Sequence, residues 1–151
     1  MQTTARKITP AVIGVIRNSH GQYLMTDRLN TGLEDKGVVM GDDFWQLPGG
    51  GLEVGETVEA GVIREIKEET DLDIEIITLL PKIHTSIRPT WHGILLSYLC
   101  RVKNEAQPVK VDGHESSRFG WFKPEEIERL NSFKETYITV KMAEDIAKLF
   151  F

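Results

Sequence analysis

The sequence contains a single cysteine, Cys100, and no apolar run as long as a membrane span. A single cysteine excludes an internal disulfide, so we expect a reducing, cytoplasmic location and buried packing as the role of Cys100. The N-terminal segment MQTTARKITP lacks the apolar core of a signal peptide. Internal repeats, low-complexity tracts and an obvious linker are also missing. These absences predict one domain over residues 1–151 with no membrane partner.

Positive charge is scarce too, because 18 Lys and Arg are outnumbered by 23 Asp and Glu, which gives a net charge of −5. This balance argues against nonspecific nucleic-acid binding, so no nucleic-acid partner is expected. An anionic substrate would therefore have to be bound by a metal ion or by local Arg and Lys side chains rather than by the overall field.

The strongest pattern lies between Gly50 and Leu72, in the stretch GGLEVGETVEAGVIREIKEETDL. Its apolar residues Val58, Val62 and Ile66 recur at helical spacing, which predicts a helix from Val58 to Thr70. Thr57, directly before this segment, is a suitable N-cap. The glycines that precede the helix permit a close approach of the backbone to a ligand.

Three carboxylates crowd one face of the predicted helix, because Glu65, Glu68 and Glu69 are three and four residues apart. Like charges at this spacing repel each other by a few tenths of a kcal/mol per pair. Divalent cations such as Mg²⁺ bind oxygen ligands and would relieve this repulsion. The blander interpretation is a solvated, Glu-rich helix face. However, the full spacing between Gly50 and Leu72 fixes six residues at about 7% frequency each, and such a match arises by chance with odds of only ~10⁻⁵ over a chain of this length. These odds argue against coincidence.

The pattern of Gly50, Glu56, Arg64-Glu65-Ile66, Glu68-Glu69 and Leu72 resembles the signature box of the Nudix hydrolases, the MutT-like family. The preceding residues, Trp45 to Gly50, are similar to the usual lead-in. One position departs, since Asp71 stands where the family normally has a glycine in a left-handed conformation, which Asp tolerates better than most residues. The resemblance implies a Nudix-type α/β/α sandwich with a mixed β-sheet.

The resemblance also implies the residue roles at the site. Glu65, Glu68, Glu69 and the backbone carbonyl of Gly49 would bind Mg²⁺, with Mn²⁺ as a substitute. Arg64 would orient a box carboxylate, and Glu56 would in turn hold Arg64. The family often recruits one more acidic residue from beyond the box, and Glu115 is the candidate, as a metal ligand or general base. Whether Glu65 or Glu115 acts as the base stays open.

The function implied is Mg²⁺-dependent hydrolysis of a diphosphate linkage in a nucleoside diphosphate-linked substrate, a (d)NTP or modified nucleotide, by water attack at phosphorus. Arg28, Arg88 and Trp91 are candidates for contacts with this small-molecule nucleotide. Pro89 is placed similarly to a proline of the ADP-ribose-cleaving branch, so an ADP-ribose or nucleotide-sugar pyrophosphatase is an alternative. A catalytically silent nucleotide-binding module and a metal-free, Glu-rich interaction protein are the others. The family allows a homodimer, but the sequence identifies no interface.

The remaining elements follow from local patterns. Ala11 to Ile16 and Gln22 to Arg28 are predicted to pair as a hairpin, and His92 to Val102 is apolar enough to be a central strand. The irregular connection over residues 29–43 is expected on the substrate side. Further strands are predicted over Leu72 to Leu80 and Ser117 to Phe122, and further helices over Pro124 to Leu130 and Glu135 to Phe151.

Overall fold

The computed structural model describes residues 7–28, 34–35, 38–39, 43–114 and 116–151. Within these ranges, ten strands and three helices follow one another in this order: β1 (Ile8–Ile16), β2 (Tyr23–Asp27), β3 (Glu34–Asp35), β4 (Val38–Val39), β5 (Trp45–Gln46), β6 (Gly49–Gly51), α1 (Val58–Thr70), β7 (Ile74–Leu79), β8 (His84–Arg88), β9 (Trp91–Val102), β10 (Phe119–Phe122), α2 (Pro124–Ile127) and α3 (Lys134–Ala147).

The larger sheet is mixed and has β9 at its centre, as predicted. The strand order is β6-β1-β9-β7. β7 pairs with the second half of β9, up to Val102, and β8 pairs with the first half, from Trp91 to Leu95. The β1–β9 pair is parallel and runs from Ile8 opposite His92 to Ile16 opposite Cys100, whereas the other pairs are antiparallel. This sheet carries β6 at one edge, next to β1.

The predicted hairpin of the first two strands is wrong. β1 and β2 are joined by a single bridge, between Arg17 and Tyr23, and then enter different sheets. The physical reason is that β6 and β9 already occupy both edges of β1. The backbone groups of β2 therefore pair with β10 and β5 instead, in a three-stranded sheet.

The large sheet is covered by a helix on each face, which confirms the predicted fold class. Val62 and Ile66 of α1 pack on one face against alternate residues of β9, such as Cys100. Val140 and Ala143 of α3 belong to the core on the other face, together with Leu99. The central strand is thus buried on both sides, which explains why it reads as a continuous apolar run.

The structure corrects the predicted element list at two places, β8 and the end of the last helix. β8 was not predicted, because the residues His84, Ser86 and Arg88 on its inner side are polar and give no apolar alternation. The last helix ends at Ala147, and Phe150 is exposed rather than packed. Cys100 is a buried free thiol, as expected. In the described part of the chain, no helix is long and apolar enough to cross a membrane.

Candidate active site

Helix α1 has the predicted bounds and is fixed at both ends. The Thr57 side chain accepts a hydrogen bond from the Ala60 N–H at 3.1 Å, which caps the first turn. At the other end, Asp71 has φ 62° and ψ 11°, and its N–H donates to the Lys67 carbonyl. The left-handed conformation expected at this position is therefore confirmed, and Asp71 fills it in place of glycine.

Arg64 is the hub of the carboxylate cluster. Its Nε and Nη2 donate to the two oxygens of Glu56 at 2.9 and 2.7 Å, as a bidentate pair. Its Nη1 donates to Glu65 at 3.0 Å and to Glu68 at 3.2 Å. Nη2 also donates to the carbonyl oxygen of Gly51 at 3.0 Å. One guanidinium thus ties the helix face to the strand beside it.

These contacts change the protonation equilibria of the pair. The hydrogen bonds from Arg64, helped by the backbone N–H of Glu53, lower the pKa of Glu56 from its ordinary 4.5 to about 2. The same pairing with Glu56, together with Glu65 and Glu68, raises the pKa of Arg64. Both side chains therefore keep their charges near neutral pH, and the cluster always contains one fixed cation.

The glycines of β6 make room for the other two carboxylates. A Cβ added to Gly50 would lie 2.5 Å from the Glu65 carboxylate, so this carboxylate rests directly on the Gly50 backbone. Glu69 is buried, and its carboxylate accepts a hydrogen bond from the Gly49 N–H at 3.2 Å. The structure therefore brings Gly49, Glu65, Glu68, Glu69 and Arg64 together around one strand edge.

The donor set has the chemistry of a divalent-cation site, but Glu65 and Glu68 are paired with Arg64. No three His, Cys, Asp or Glu side chains converge on a preformed metal position among the residues that the structure describes. Oxygen donors on adjacent turns suit Mg²⁺ or Mn²⁺. Glu68 is 58% exposed at its side chain, so it can leave Arg64 without disturbing the core. The residues fit such an ion once Arg64 gives up part of its contacts.

A cavity of about 230 Å³ opens on the α3 face of the large sheet, and β6 forms one of its walls. All three candidate substrate contacts line it, although they are far apart in the sequence. Arg28 donates to the Gln46 side chain at 2.8 Å. Arg88 lies over the rings of Phe133 and Trp91, with 4.6 and 5.6 Å to the ring centroids. The structure thus supplies a pocket with two arginines and an aromatic wall.

Sequence reasoning missed several cavity residues. These residues lie on β5, on β8, or in α3 and at its N-cap, and they are Gln46, His84, Ser86, Phe133, Thr136 and Thr139. Within this set, Nε2 of His84 lies 3.2 Å from the Thr139 hydroxyl. No motif spacing could have found this set, because roughly 50 residues separate β8 from α3 and sequence periodicity reports only local structure.

Glu115 lies outside the described residues, as does most of the connection over residues 29–43. The chain just after Glu115 is anchored by buried Asp27, which accepts hydrogen bonds from the N–H groups of Ser117 and Arg118, both at 2.8 Å. Burial would raise the pKa of Asp27, but these bonds and the Arg118 side chain hold it below its ordinary value. Asp27 thus keeps its charge and fixes this segment to the end of β2.

Comparison with known families gives one match that spans most of the chain. The family described as "NUDIX domain" matches residues 7–141. An "8-oxo-dGTP diphosphatase" of Haemophilus influenzae is 30% identical over 115 residues, which are 73% of this chain and 74% of that protein. A "MutT-like protein" of Streptomyces ambofaciens is 31% identical over 118 residues, 78% of this chain and 65% of that protein.

Some relatives are longer than this chain. "Nudix hydrolase 5" of Arabidopsis thaliana is 25% identical over 111 residues, which are 74% of this chain but only 35% of the plant protein. The chain therefore spans about a third of the plant relative and just under two thirds of the Streptomyces relative.

Solved structures agree on the fold. A C. elegans Ap4A hydrolase has a TM-score of 0.76 at 17% identity, with 94% of this chain and 99% of that chain covered. A MutT NUDIX hydrolase from Burkholderia pseudomallei has a TM-score of 0.73 at 23% identity, with 91% and 98% covered. At these identities the similarity shows the fold alone.

Proposed function

The chain belongs to the NUDIX family, and on that premise we propose that it is a hydrolase of phosphoric anhydride bonds. Its substrate is a nucleoside diphosphate-linked compound, a (d)NTP or a modified nucleotide, and it uses Mg²⁺ or Mn²⁺. The relative named "8-oxo-dGTP diphosphatase" supports this class of reaction.

One observation carries the proposal: β6 has the cavity on one side and a carboxylate on the other. Gly49, Gly50 and Gly51 line the cavity, and the Glu65 carboxylate rests on Gly50. A ligand that places a ring in the cavity can therefore extend its phosphates along β6 toward α1. The cavity is smaller than the roughly 300–1,000 Å³ of pockets that enclose a drug-sized ligand, so it holds only part of the substrate.

On the α1 side, we assign Glu65, Glu68, Glu69 and the Gly49 carbonyl as the metal-binding groups. A divalent cation supplies charge neutralisation for the phosphate oxygens and lowers the pKa of bound water. Arg64 compensates the carboxylates when the cation is absent, and Glu56 keeps Arg64 in place through the bidentate pair. Glu65 or Glu115 accepts the proton of the attacking water.

On the cavity side, we assign Arg28, Arg88 and Trp91 to the nucleoside part and its nearest phosphate. Trp91 offers a ring face for stacking, and Arg88 is already stacked on it. The two arginines supply positive charge that the net charge of −5 does not. A cytoplasmic location is part of the proposal and agrees with the buried free thiol of Cys100.

The experiment is a hydrolysis panel run with Mg²⁺, with Mn²⁺ and with a chelator. It contains (d)NTPs, oxidised nucleotides, ADP-ribose, nucleotide sugars and dinucleoside polyphosphates, and product analysis identifies the phosphorus attacked. We expect metal-dependent turnover of at least one compound. Nucleotide binding without turnover of any compound would favour the silent module. An unchanged melting temperature with Mg²⁺ and Mn²⁺, together with no turnover, would overturn the metal assignment.

A further inference from the structure

Four polar residues of β8, β9 and α3 line the cavity, and they are His84, Ser97, Thr136 and Thr139. Ser97 is 2% exposed and Thr136 is 5% exposed, yet both line the cavity. In the described part of the chain, neither hydroxyl has a hydrogen-bond partner. Among the described residues, only Thr26 Oγ1 is a fully buried side-chain atom without a partner, so the hydroxyls of Ser97 and Thr136 are open to the cavity, where a ligand or water can bind them.

The hydrogen-bond network determines which nitrogen of His84 carries the proton. The Thr139 hydroxyl donates its only hydrogen to the Glu135 carbonyl oxygen at 2.8 Å. The Thr139 hydroxyl oxygen also lies 3.2 Å from Nε2 of His84; with its hydrogen on the shorter bond to Glu135, this oxygen accepts from Nε2, which is then the donor. A neutral His84 is therefore held as the Nε2–H tautomer. Its Nδ1 is then left as an acceptor on a residue that lines the cavity.

We propose that His84 is a specificity-determining residue that accepts a hydrogen bond from the exocyclic amino group of a nucleobase. This inference rests on the proposed function, because it assumes that a nucleoside occupies the cavity. An acceptor fits the amino edge of adenine or cytosine, whereas the oxo group of hypoxanthine or uracil presents a second acceptor. The amino-bearing base is favoured because the oxo-bearing base leaves two acceptors facing each other.

Matched substrate pairs test this selectivity. We expect kcat/KM to favour ATP over ITP, or CTP over UTP, by about tenfold in the wild-type protein. Thr139→Val has a similar shape but removes the acceptor for Nε2–H, so we expect the ratio to fall to within about threefold of unity. Thr139→Ser keeps the hydroxyl and should keep the ratio. Equal ratios in the wild type and Thr139→Val would overturn the proposal.

Two further measurements do not depend on hydrolysis. Long-range ¹H–¹⁵N NMR, with His84→Ala used to identify its signals among the four histidines, should show protonated Nε2 and unprotonated Nδ1. A reversed tautomer would overturn the proposal. Titrations with AMP and IMP, which contain no diphosphate linkage, should show tighter binding of AMP by the wild type. If AMP is preferred but no nucleotide is hydrolysed, the proposed function fails and the inference about His84 stands.

Discussion

The two sides of β6 are built in different ways. On the α1 side, Arg64 and the three carboxylates assigned to the metal come from a single helix, Val58–Thr70. Their relative positions follow from helical spacing. On the other side, the cavity is lined by residues of β1, β5, β8, β9 and α3, which only the tertiary fold brings together. The proposed chemistry is therefore local in sequence, whereas the proposed selectivity is not.

The electrostatics of the two sides differ as well. The α1 side is a compact ion cluster in which Arg64 contacts three glutamates within 3.2 Å. The cavity side relies on cation–π contacts and on neutral hydroxyls, with Arg88 lying over the rings of Phe133 and Trp91. This difference indicates that substitutions on the α1 side should mainly change kcat, and substitutions in the cavity should mainly change KM.

The largest expected effect is on the α1 side. Glu69→Gln and Glu68→Gln should each lower turnover by roughly 10²–10⁴-fold, because each removes a charged oxygen donor for the cation. The melting temperature should change little. In Glu69→Gln the amide oxygen can still accept the Gly49 N–H bond, and the Glu68 side chain is exposed. Steady-state kinetics with the best substrate of the panel measures the effect. Glu128→Gln, an exposed charge-matched control directly after α2, should be fully active, and near-normal rates for either site variant would refute the assignment.

Substitutions at two neighbouring glycines of β6 test the role of Glu65 in metal binding. Gly50→Ala places a Cβ 2.5 Å from the Glu65 carboxylate, and the movable carboxylate will yield rather than the backbone. Turnover and metal affinity should fall by roughly ten- to a hundredfold, as for other displaced ligand groups, while unfolding changes little. Gly51→Ala is the matched control, because a Cβ there meets no atom within 4 Å. Equal kinetics for the two variants would mean that Glu65 has no metal role.

Trp91→Leu tests the cavity side. Loss of the indole ring removes one base-stacking contact, so KM should rise by about tenfold while kcat stays nearly unchanged. Initial-rate kinetics separate the two constants. A drop in kcat without a change in KM would remove the proposed distinction between the two sides of β6.

The Glu56–Arg64 pair makes a smaller, pH-dependent contribution. The pKa of Glu56 is lowered to about 2 in the folded state, from an ordinary 4.5. The stabilisation is therefore fully present above pH 4.5 and is lost as the pH falls toward 2. In metal-free urea titrations, Glu56→Gln should lose less stability than the wild type across this range. Parallel stability curves would show that the pair does not stabilise the fold.

The smallest effect is expected at the end of α1. Asp71→Gly should stabilise the fold by less than about 1 kcal/mol, because glycine adopts the left-handed conformation more readily. The exposed Lys67–Asp71 ion pair at 3.4 Å offsets part of this gain. Asp71→Asn separates the two contributions in chemical denaturation, since it removes the charge but tolerates the left-handed conformation. Kinetic constants should be unchanged, and a large loss of activity would show that Asp71 belongs to the site.

The accuracy of the sequence predictions followed the range of the interactions involved. The bounds of α1 and the left-handed Asp71 depend on residues within one turn of each other, and both predictions were right. The central strand was also predicted correctly, since burial on both faces gives a continuous apolar run. The predicted hairpin was wrong because strand pairing depends on which strand edges are free, and β6 and β9 occupy the two edges of β1. The roles of Arg28, Arg88, Trp91 and Glu115 stay predictions.

The sequence by itself determined the family and the cluster of carboxylates on α1, because helical geometry converts residue spacing directly into a shared face. The tertiary structure decided how β6 separates that cluster from a cavity, and which polar side chains line the cavity. Those side chains lie on strands and a helix far apart in the chain. Their proximity depends on long-range strand pairing and layer packing, which local periodicity does not encode.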